Sequence, residues 1–370
     1  MKIIQMIARV NRGGTARWLE ELIGELNHAG HQSILYAGSV QDGEIEDDCF
    51  SGLNGKRISG LGRSISLWGD LQAIWQVRRI LRIQLPDVLN THTAKAGVIG
   101  RLAALSLGKK RPAIVHTIHG HLLYGYFSKA KTSVFIRIEK FLATRSDLLI
   151  AAGEKVRNEL LDVGVGRKDL YVIARPSVVL NDLDSKIETR DKLGIPREAV
   201  VIGWLGRLAQ VKRPDRVIEL ANRLRGFTFV IGGDGLLLDS LKTNLPANVR
   251  LVGWTTPEEI WSLSDIALLT SENEAQPISL IEAGLAGIPA VAESVGSVSE
   301  VIENGVTGFL VTNLEERIEA INTLAKDREL RLQMGARAKT YCENKFSRKQ
   351  FLDTHLEAYK TAIIRRDQRL

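Results

Sequence analysis

Two separate series of short apolar runs, each run followed by an amphipathic stretch, constrain the fold of this chain more than any other feature. The first series opens with "KIIQMIA", a helical pattern from Thr15 to Asn27, and "HQSILYAG", then continues through "PDVLNTHT", "PAIVHTIHG" and "SDLLIAAG". Runs that stay apolar without alternating suit parallel strands covered on both faces, with the amphipathic stretches as crossover helices. From Tyr171 to Pro196 the pattern breaks into polar, charged sequence bracketed by Pro176 and Pro196, which reads as a domain junction. The alternation restarts with "AVVIGWLGR", "FTFVIGGDG", "NVRLVGW", "DIALLTS" and "IPAVAES". The expectation is an α/β protein of two doubly wound, Rossmann-like domains facing one another across a cleft, at residues 1–175 and 176–347. A last helical pattern, from Arg348 to Ile364, is expected to pack back on the first domain within 348–370. A length of 370 residues exceeds what one core usually supports.

Two cysteines, Cys49 and Cys342, are too few and too far apart for a disulfide framework or a metal cage, and suit a reducing compartment. "MKIIQMIARV" lacks the longer apolar segment and cleavage site of a signal peptide, and no run of 18 apolar residues occurs, so a cytoplasmic location is expected. The formal charge of +7 is uneven: residues 1–170 hold 24 Lys/Arg against 16 Asp/Glu. A one-sided basic surface suits an anionic partner, either a nucleotide, a nucleic acid or an acidic lipid surface.

The candidate site residues sit where apolar runs end, and ligands of open α/β sheets bind at the carboxyl ends of strands. Gly13 and Gly14 in "RVNRGGTARW" mark a strand-to-helix turn, either a plain turn or a backbone approach to an anion at a helix N-terminus. "GWLGRLAQVKRPD" puts Gly206 and Arg207 at a strand end with Lys212 on the same loop, a pair of cations able to clamp a diphosphate or simply be solvated. Gly233 in "FVIGGDG" suits a close backbone approach or a structural turn. In "ENEAQPISLIEAG", Glu274 precedes a helix with Pro277 suited to its first position, and the N–H groups around Gln276, Ile278 and Ser279 can cradle an anion or sugar hydroxyl. Glu282 then falls inside an apolar helix, where a carboxylate needs hydrogen-bonding partners such as ribose hydroxyls, unless it reaches solvent. His116, His119 and His121 in "VHTIHGHLLYGYF" lack an accompanying carboxylate, which favours a single polar histidine over a metal trio. The acidic pair Asp182 and Asp184 lies in the junction with no flanking strand and gives no metal site.

Taken in order, Gly13-Gly14, "THTAKAG", "TIHGH", "GRLAQVK", "GGDG", the E-x7-E pair Glu274 and Glu282, and "GSVSEVIENGVTGFLV" resemble the retaining family-4 glycosyltransferases of the GT-B fold over nearly the whole chain. The resemblance implies that Arg207 and Lys212 hold the donor diphosphate with no metal or other cofactor, and that Glu282 binds the donor ribose. It implies that Glu274, with the backbone of Ala275, Gln276 and Pro277, orients the transferred sugar, that His119 stands beside that sugar, and that Gly14 lies near donor phosphate and acceptor. The string "THTAKAG...HTIHGHLLYGYFS" is similar to enzymes assembling bacterial surface polysaccharides. The resemblance favours UDP over GDP as the donor nucleotide and implies a sugar or polyprenyl-diphosphate-linked sugar as acceptor. Two departures stand out: "IARPSVV" replaces the usual asparagine-glycine turn, placing Arg175 and Ser177 at the hinge, and Ala275 replaces the commoner glycine.

Residues 124–145, "YGYFSKAKTSVFIRIEKFLATR", combine Tyr124, Tyr126 and Phe127 with Lys129, Lys131, Arg137, Lys140 and Arg145, and carry an apolar stripe at Phe135, Ile138 and Phe141. Such a face suits peripheral contact with anionic lipid on the inner side of the cytoplasmic membrane, or is a core-packed helix with a solvated basic side. A nucleotide-sugar epimerase and a catalytically silent nucleotide-sugar or nucleic-acid-binding module are the alternatives. The E-x7-E pair opposes the first, and the absence of interleaved aromatic and basic strands opposes nucleic-acid binding. A dehydrogenase is a weaker alternative still, because "RVNRGGTARW" is not G-x-G-x-x-G and no acid marks the end of the second strand at "ILYAG".

Overall fold

The computed structural model of the chain describes residues 1–41, 44–62, 66–120, 129–243 and 245–369. It divides into two compact units, Met1–Ser177 with Arg348–Leu370, and Val178–Ser347.

Unit 1 is built on strands β1 (Lys2–Ile7), β2 (Gln32–Ala37), β3 (Lys56–Arg57), β4 (Val88–His92), β5 (Ala113–Ile118), β6 (Leu148–Ala151) and β7 (Tyr171–Ile173). They pair in parallel in the order β3-β2-β1-β4-β5-β6-β7. The order reverses between β1 and β4, so the crevice beyond their carboxyl ends is the topological switch point. Alternate residues of β1 serve opposite faces, which is why the run is continuously apolar. Ile4 and Met6 pack with Val77 and Leu81 of helix Leu67–Gln84 and Ile99 and Ala103 of helix Ala94–Leu105. Ile3 packs with Trp18 and Leu22 of helix Gly14–His28 and with Phe351 and Tyr359 of the C-terminal helix Arg348–Arg369. Each fully buried leucine or isoleucine of this kind stabilises by about 1.5–3 kcal/mol.

Unit 2 repeats the plan with β8 (Val201–Leu205), β9 (Thr228–Gly232), β10 (Val249–Gly253), β11 (Ile266–Leu269), β12 (Ala290–Glu293) and β13 (Gly308–Val311), in the order β10-β9-β8-β11-β12-β13. Here the order reverses between β8 and β11. Trp261, Leu280 and Ile281 cover one face and Val217, Leu220 and Ile321 the other.

Two details depart from the pattern-based expectation. Tyr171–Ile173, assigned to the junction, is the edge strand β7, paired with β6 through Leu149 and Tyr171. A strand of three residues beside a proline-bracketed polar tract has too little periodicity to read. Helix Lys186–Lys192 also forms inside that tract, with Ser185 capping it through a hydrogen bond from Glu188 N.

Candidate functional site

In unit 2 the loops leaving β8 and β11 are tied together across the switch point. Trp204 Nε1 donates to Thr270 Oγ1 at 3.0 Å, Thr270 Oγ1 donates to the Lys212 carbonyl at 2.9 Å, and Glu272 N donates to the Val211 carbonyl at 2.8 Å. This lacing brings Lys212 Nζ to 2.5 Å from Glu274 Oε1. Ser271 Oγ donates to the same oxygen at 2.6 Å, leaving Oε2 without a hydrogen bond among the described residues. Glu274 is 8% exposed, so its charge is held by this ammonium and hydroxyl instead of by bulk water. An ammonium has three N–H donors, and Lys212 spends one on Glu274. The Arg207 side chain is exposed and makes no ion pair or hydrogen bond among the described residues.

The loop after β12 fixes the Glu274 backbone. Ser297 N donates to the Glu274 carbonyl at 2.8 Å, and Gly296 adopts φ +53° with its Cα so close that a Cβ would lie 1.8 Å from that carbonyl oxygen. Gly233, at φ +138°, would likewise place a Cβ 1.8 Å from the Gly206 carbonyl oxygen. The glycine there is required by the contact between two strand-end loops. Helix Ile278–Leu285 follows Pro277, which sits in an extended conformation (ψ 95°) just outside it. The proline is therefore one position earlier than expected, and the first N–H groups of the helix, at Ile278 and Ser279, lie outside its own bonding. Glu282, in the second turn, is 3% exposed, and Ala275 is half-buried. Nearby, Gln276 Oε1 and Ser297 Oγ are buried with no partner among the described residues.

In unit 1 the strand ends of β1, β4 and β5 carry a buried polar chain. His119, just past β5, places Nε2 2.8 Å from His92 Nδ1, and His92 Nε2 lies 2.9 Å from Gln5 Oε1. Gln5 Nε2 and Asn90 Nδ2 both donate to the Tyr359 hydroxyl, at 3.1 and 3.0 Å. Trp18 stands edge-on to the His119 ring with centroids 4.9 Å apart. Burial, with His355 nearby, pushes His119 down to about 3. Burial holds His92 and His116 well below the usual histidine value, so all three are neutral at pH 7. His116 is taken up separately by Thr91, whose hydroxyl is 2.9 Å from its Nδ1. Two of the three histidines of "VHTIHGH" thus make different contacts, His121 lies outside the described residues, and no metal-ligand cluster occurs among the described residues.

Gly13 caps helix Gly14–His28 at φ +151°. A Cβ there would meet nothing within 4 Å, so the glycine is required for its backbone conformation and not for space. The first turn carries no acid, which leaves this helix N-terminus open to an anion. At the other departure from the family pattern, Arg175 pairs with Glu154 at 3.1 Å and Ser177 Oγ donates to Glu21 at 3.3 Å, both inside unit 1. Sequence patterning does not single out Gln5, His92 or Tyr359. His92 lies inside "THTAKAG", but Gln5 and Tyr359 carry no local signal, because only the sheet register and the returning C-terminal helix bring them together.

Of the basic aromatic segment, Tyr124, Tyr126, Phe127 and the side chains of Lys129 and Lys131 lie outside the described residues. Ile138 and Phe141 are exposed on helix Lys129–Ala143 and Phe135 is half-buried. Among the described residues no helix is long and apolar enough to cross a membrane.

Comparison with known proteins agrees with this architecture. Residues 12–176 match the Glycosyltransferase Family 4 model and residues 185–341 the Glycosyl transferases group 1 model. The chain is 29% identical over 300 residues, 74% of its length and 76% of the other's, to UDP-Gal:alpha-D-GlcNAc-diphosphoundecaprenol alpha-1,3-galactosyltransferase of Escherichia coli. It is 24% identical over 362 residues, 97% of its length and 98% of the other's, to the Escherichia coli O-antigen biosynthesis glycosyltransferase WbnH. Among solved structures, Anabaena Alr3699/HepE in complex with UDP-glucose superposes with a TM-score of 0.81 at 21% identity, covering 98% of this chain and all (100%) of that one. With a family-4 domain followed by a group 1 domain on two parallel sheets, the chain belongs to the glycosyltransferases of the GT-B fold.

Proposed function

We propose that this glycosyltransferase moves a sugar from a nucleotide-diphosphate sugar, a UDP-sugar before a GDP-sugar, to a sugar acceptor carried on a polyprenyl diphosphate, with retention of configuration and without a metal ion, in the cytoplasm during surface-polysaccharide assembly. The observation that carries the reading is the Lys212–Glu274 pair at the unit 2 switch point, beside the unpartnered Arg207. The E. coli relative is named for a UDP-galactose donor and a diphosphoundecaprenol-linked acceptor, and structures of HepE hold UDP and UDP-glucose.

In this reading Arg207, the two remaining Lys212 donors and the open N–H groups of Ile278 and Ser279 receive the diphosphate, whose negative charge grows as the anomeric bond breaks. Preorganised donors of this kind are worth about 3–4 kcal/mol each at comparable oxyanions. The free Oε2 of Glu274 accepts from a hydroxyl of the transferred sugar and Glu282 takes the ribose; the buried, unpartnered Gln276 Oε1 and Ser297 Oγ support the reading of a polar ligand here. Neutral His119 serves the sugar as a hydrogen-bonding group. The acceptor hydroxyl attacks from the face the nucleotide leaves and passes its proton to the departing phosphate, so no protein base is needed. Segment 124–145 would give peripheral contact with anionic lipid.

The test is a thermal-shift screen of nucleotide sugars followed by transfer assays with the best donor. Arg207→Ala should lower turnover on the order of a hundredfold or more. Near-normal turnover, or a product of inverted anomeric configuration, would overturn the mechanism. Conversion of the donor without an acceptor would point to an epimerase.

A further inference from the structure

Helix Leu67–Gln84 has two unlike faces. Ala73, Val77 and Leu81 are buried against the unit 1 sheet. On the opposite side Trp68, Leu71 and Trp75 recur at helical spacing, 85%, 59% and 62% exposed, beside Leu67 at 80%. The same line continues through the exposed Arg78, Arg79 and Arg82, with Arg79 over the Trp75 ring at 5.9 Å. Single exposed apolar residues need no explanation, but two tryptophans and two leucines in one stripe do.

The charge on this face is uncompensated. None of the three arginines has an ion pair among the described residues, and the helix's one acid, Asp70, is engaged by Lys95 at 2.7 Å. Helix Ala94–Leu105 lies next to helix Leu67–Gln84 and is joined on its other flank to helix Lys129–Ala143 by the buried Arg101–Glu139 pair at 2.6 Å. That second flank exposes Val134, Ile138 and Phe141, with Arg145 stacked on Phe141 at 3.7 Å. Aromatic and aliphatic side chains beside unpaired arginines match the boundary of an anionic bilayer, where rings sit among headgroups and guanidinium groups meet phosphates.

We propose that helix Leu67–Gln84 is an interfacial docking element for anionic phospholipid, with Trp68, Leu71 and Trp75 entering the headgroup layer and Arg78, Arg79 and Arg82 binding lipid phosphates. This deepens the reading of a lipid-linked acceptor and rests on it for its purpose alone. The element is distinct from helix Lys129–Ala143, whose exposed Val134, Ile138 and Phe141 add a flanking contact.

The experiment is flotation of the full chain with phosphatidylcholine vesicles, with and without phosphatidylglycerol. The wild-type chain should float with the phosphatidylglycerol vesicles and be released by high salt. Trp68→Ser with Trp75→Ser, and separately Arg78→Gln with Arg79→Gln and Arg82→Gln, should each weaken binding by on the order of tenfold or more. All these side chains are exposed, so thermal stabilisation by UDP should be unchanged and reports that the variants are folded. Undiminished flotation of either variant, equal binding to pure phosphatidylcholine, or loss of binding only with Phe141→Ser would overturn the proposal. A wild-type dimer that the tryptophan variant turns into a monomer, with no vesicle binding, would assign the face to a second copy. Failure of transfer with vesicle binding intact would strike the functional reading and leave the docking face standing.

Discussion

The Lys212 ammonium lies 2.5 Å from Oε1 of Glu274, and the two residues come from loops that leave β8 and β11 on either side of the unit 2 switch point. The family resemblance sets one aside for the diphosphate and the other for the sugar. In the folded chain each also orients the other.

Removing one partner should therefore cost stability as well as activity. Lys212→Ala leaves a largely buried carboxylate with only Ser271 to hold it. Allowing for the partial exposure of the lysine, a loss of about 1–3 kcal/mol is expected. Chemical denaturation should show the double variant Lys212→Ala with Glu274→Ala less destabilised than the sum of the single variants. Strict additivity would mean that the pair does not couple.

Glu274 and Glu282 should fail differently. Glu282→Ala should weaken nucleotide binding, read as a raised Kd for the free nucleoside diphosphate. Glu274→Ala should act mainly on kcat, because its free oxygen faces the transferred sugar in the proposed mode, and should raise that Kd only by the smaller amount that follows from releasing Lys212. Equal losses in both measurements for both variants would dissolve the division of labour.

Gly296→Ala should be damaging although no chemistry is assigned to it. A methyl group there would meet the Glu274 carbonyl oxygen at 1.8 Å, and φ of +53° already disfavours it. At least about 2 kcal/mol of destabilisation is expected, with reduced transfer because the Glu274 backbone must shift. The denaturation midpoint and the transfer rate, measured on the same preparation, check both parts.

Tyr359→Phe removes the shared acceptor of the Gln5 and Asn90 amides at a position sealed from solvent. Two buried N–H donors are then unpaired, at about 1–3 kcal/mol each, partly relieved by rotation of the amides. Gln5 also meets His92, which meets His119, so in the proposed mode, with His119 beside the sugar and the nucleotide on unit 2, kcat should fall while nucleotide affinity stays near wild type. Unchanged melting temperature and kcat would show the chain of contacts to be inconsequential.

Acid should destabilise unit 1 early. Burial holds His355 down at about 4, against an ordinary unfolded value of about 6.5. A histidine with a lowered folded value binds more protons when unfolded, so its contribution is fully present above about pH 6.5 and is lost as pH falls toward 4. For His355 alone this amounts to roughly 3 kcal/mol, and His92 and His116 act in the same direction. Melting temperature should fall steadily from pH 7 to pH 5, and should fall less steeply in His355→Phe.

The layered plan is legible in the order of residues alone. Continuous apolar runs allow only strands covered on both faces, two series of them imply two sheets, and glycines and charges after each run mark the carboxyl ends where ligands bind. The candidates Arg207, Lys212, Glu274, Glu282 and His119 also stand out in the sequence, because they are polar or charged groups at strand ends or among apolar neighbours. Which of these residues meet is settled only by the fold. The Lys212–Glu274 pair depends on β8 and β11 being adjacent although two strands intervene in the chain, and the approach of Gly296 to Glu274 depends on β12 lying next to β11. The link from His119 to Tyr359 depends on a C-terminal helix returning to the first sheet. The solvent-facing tryptophans of helix Leu67–Gln84 are invisible in the sequence for the complementary reason: a helix apolar on two sides reads as buried until a sheet is seen to cover only one of them.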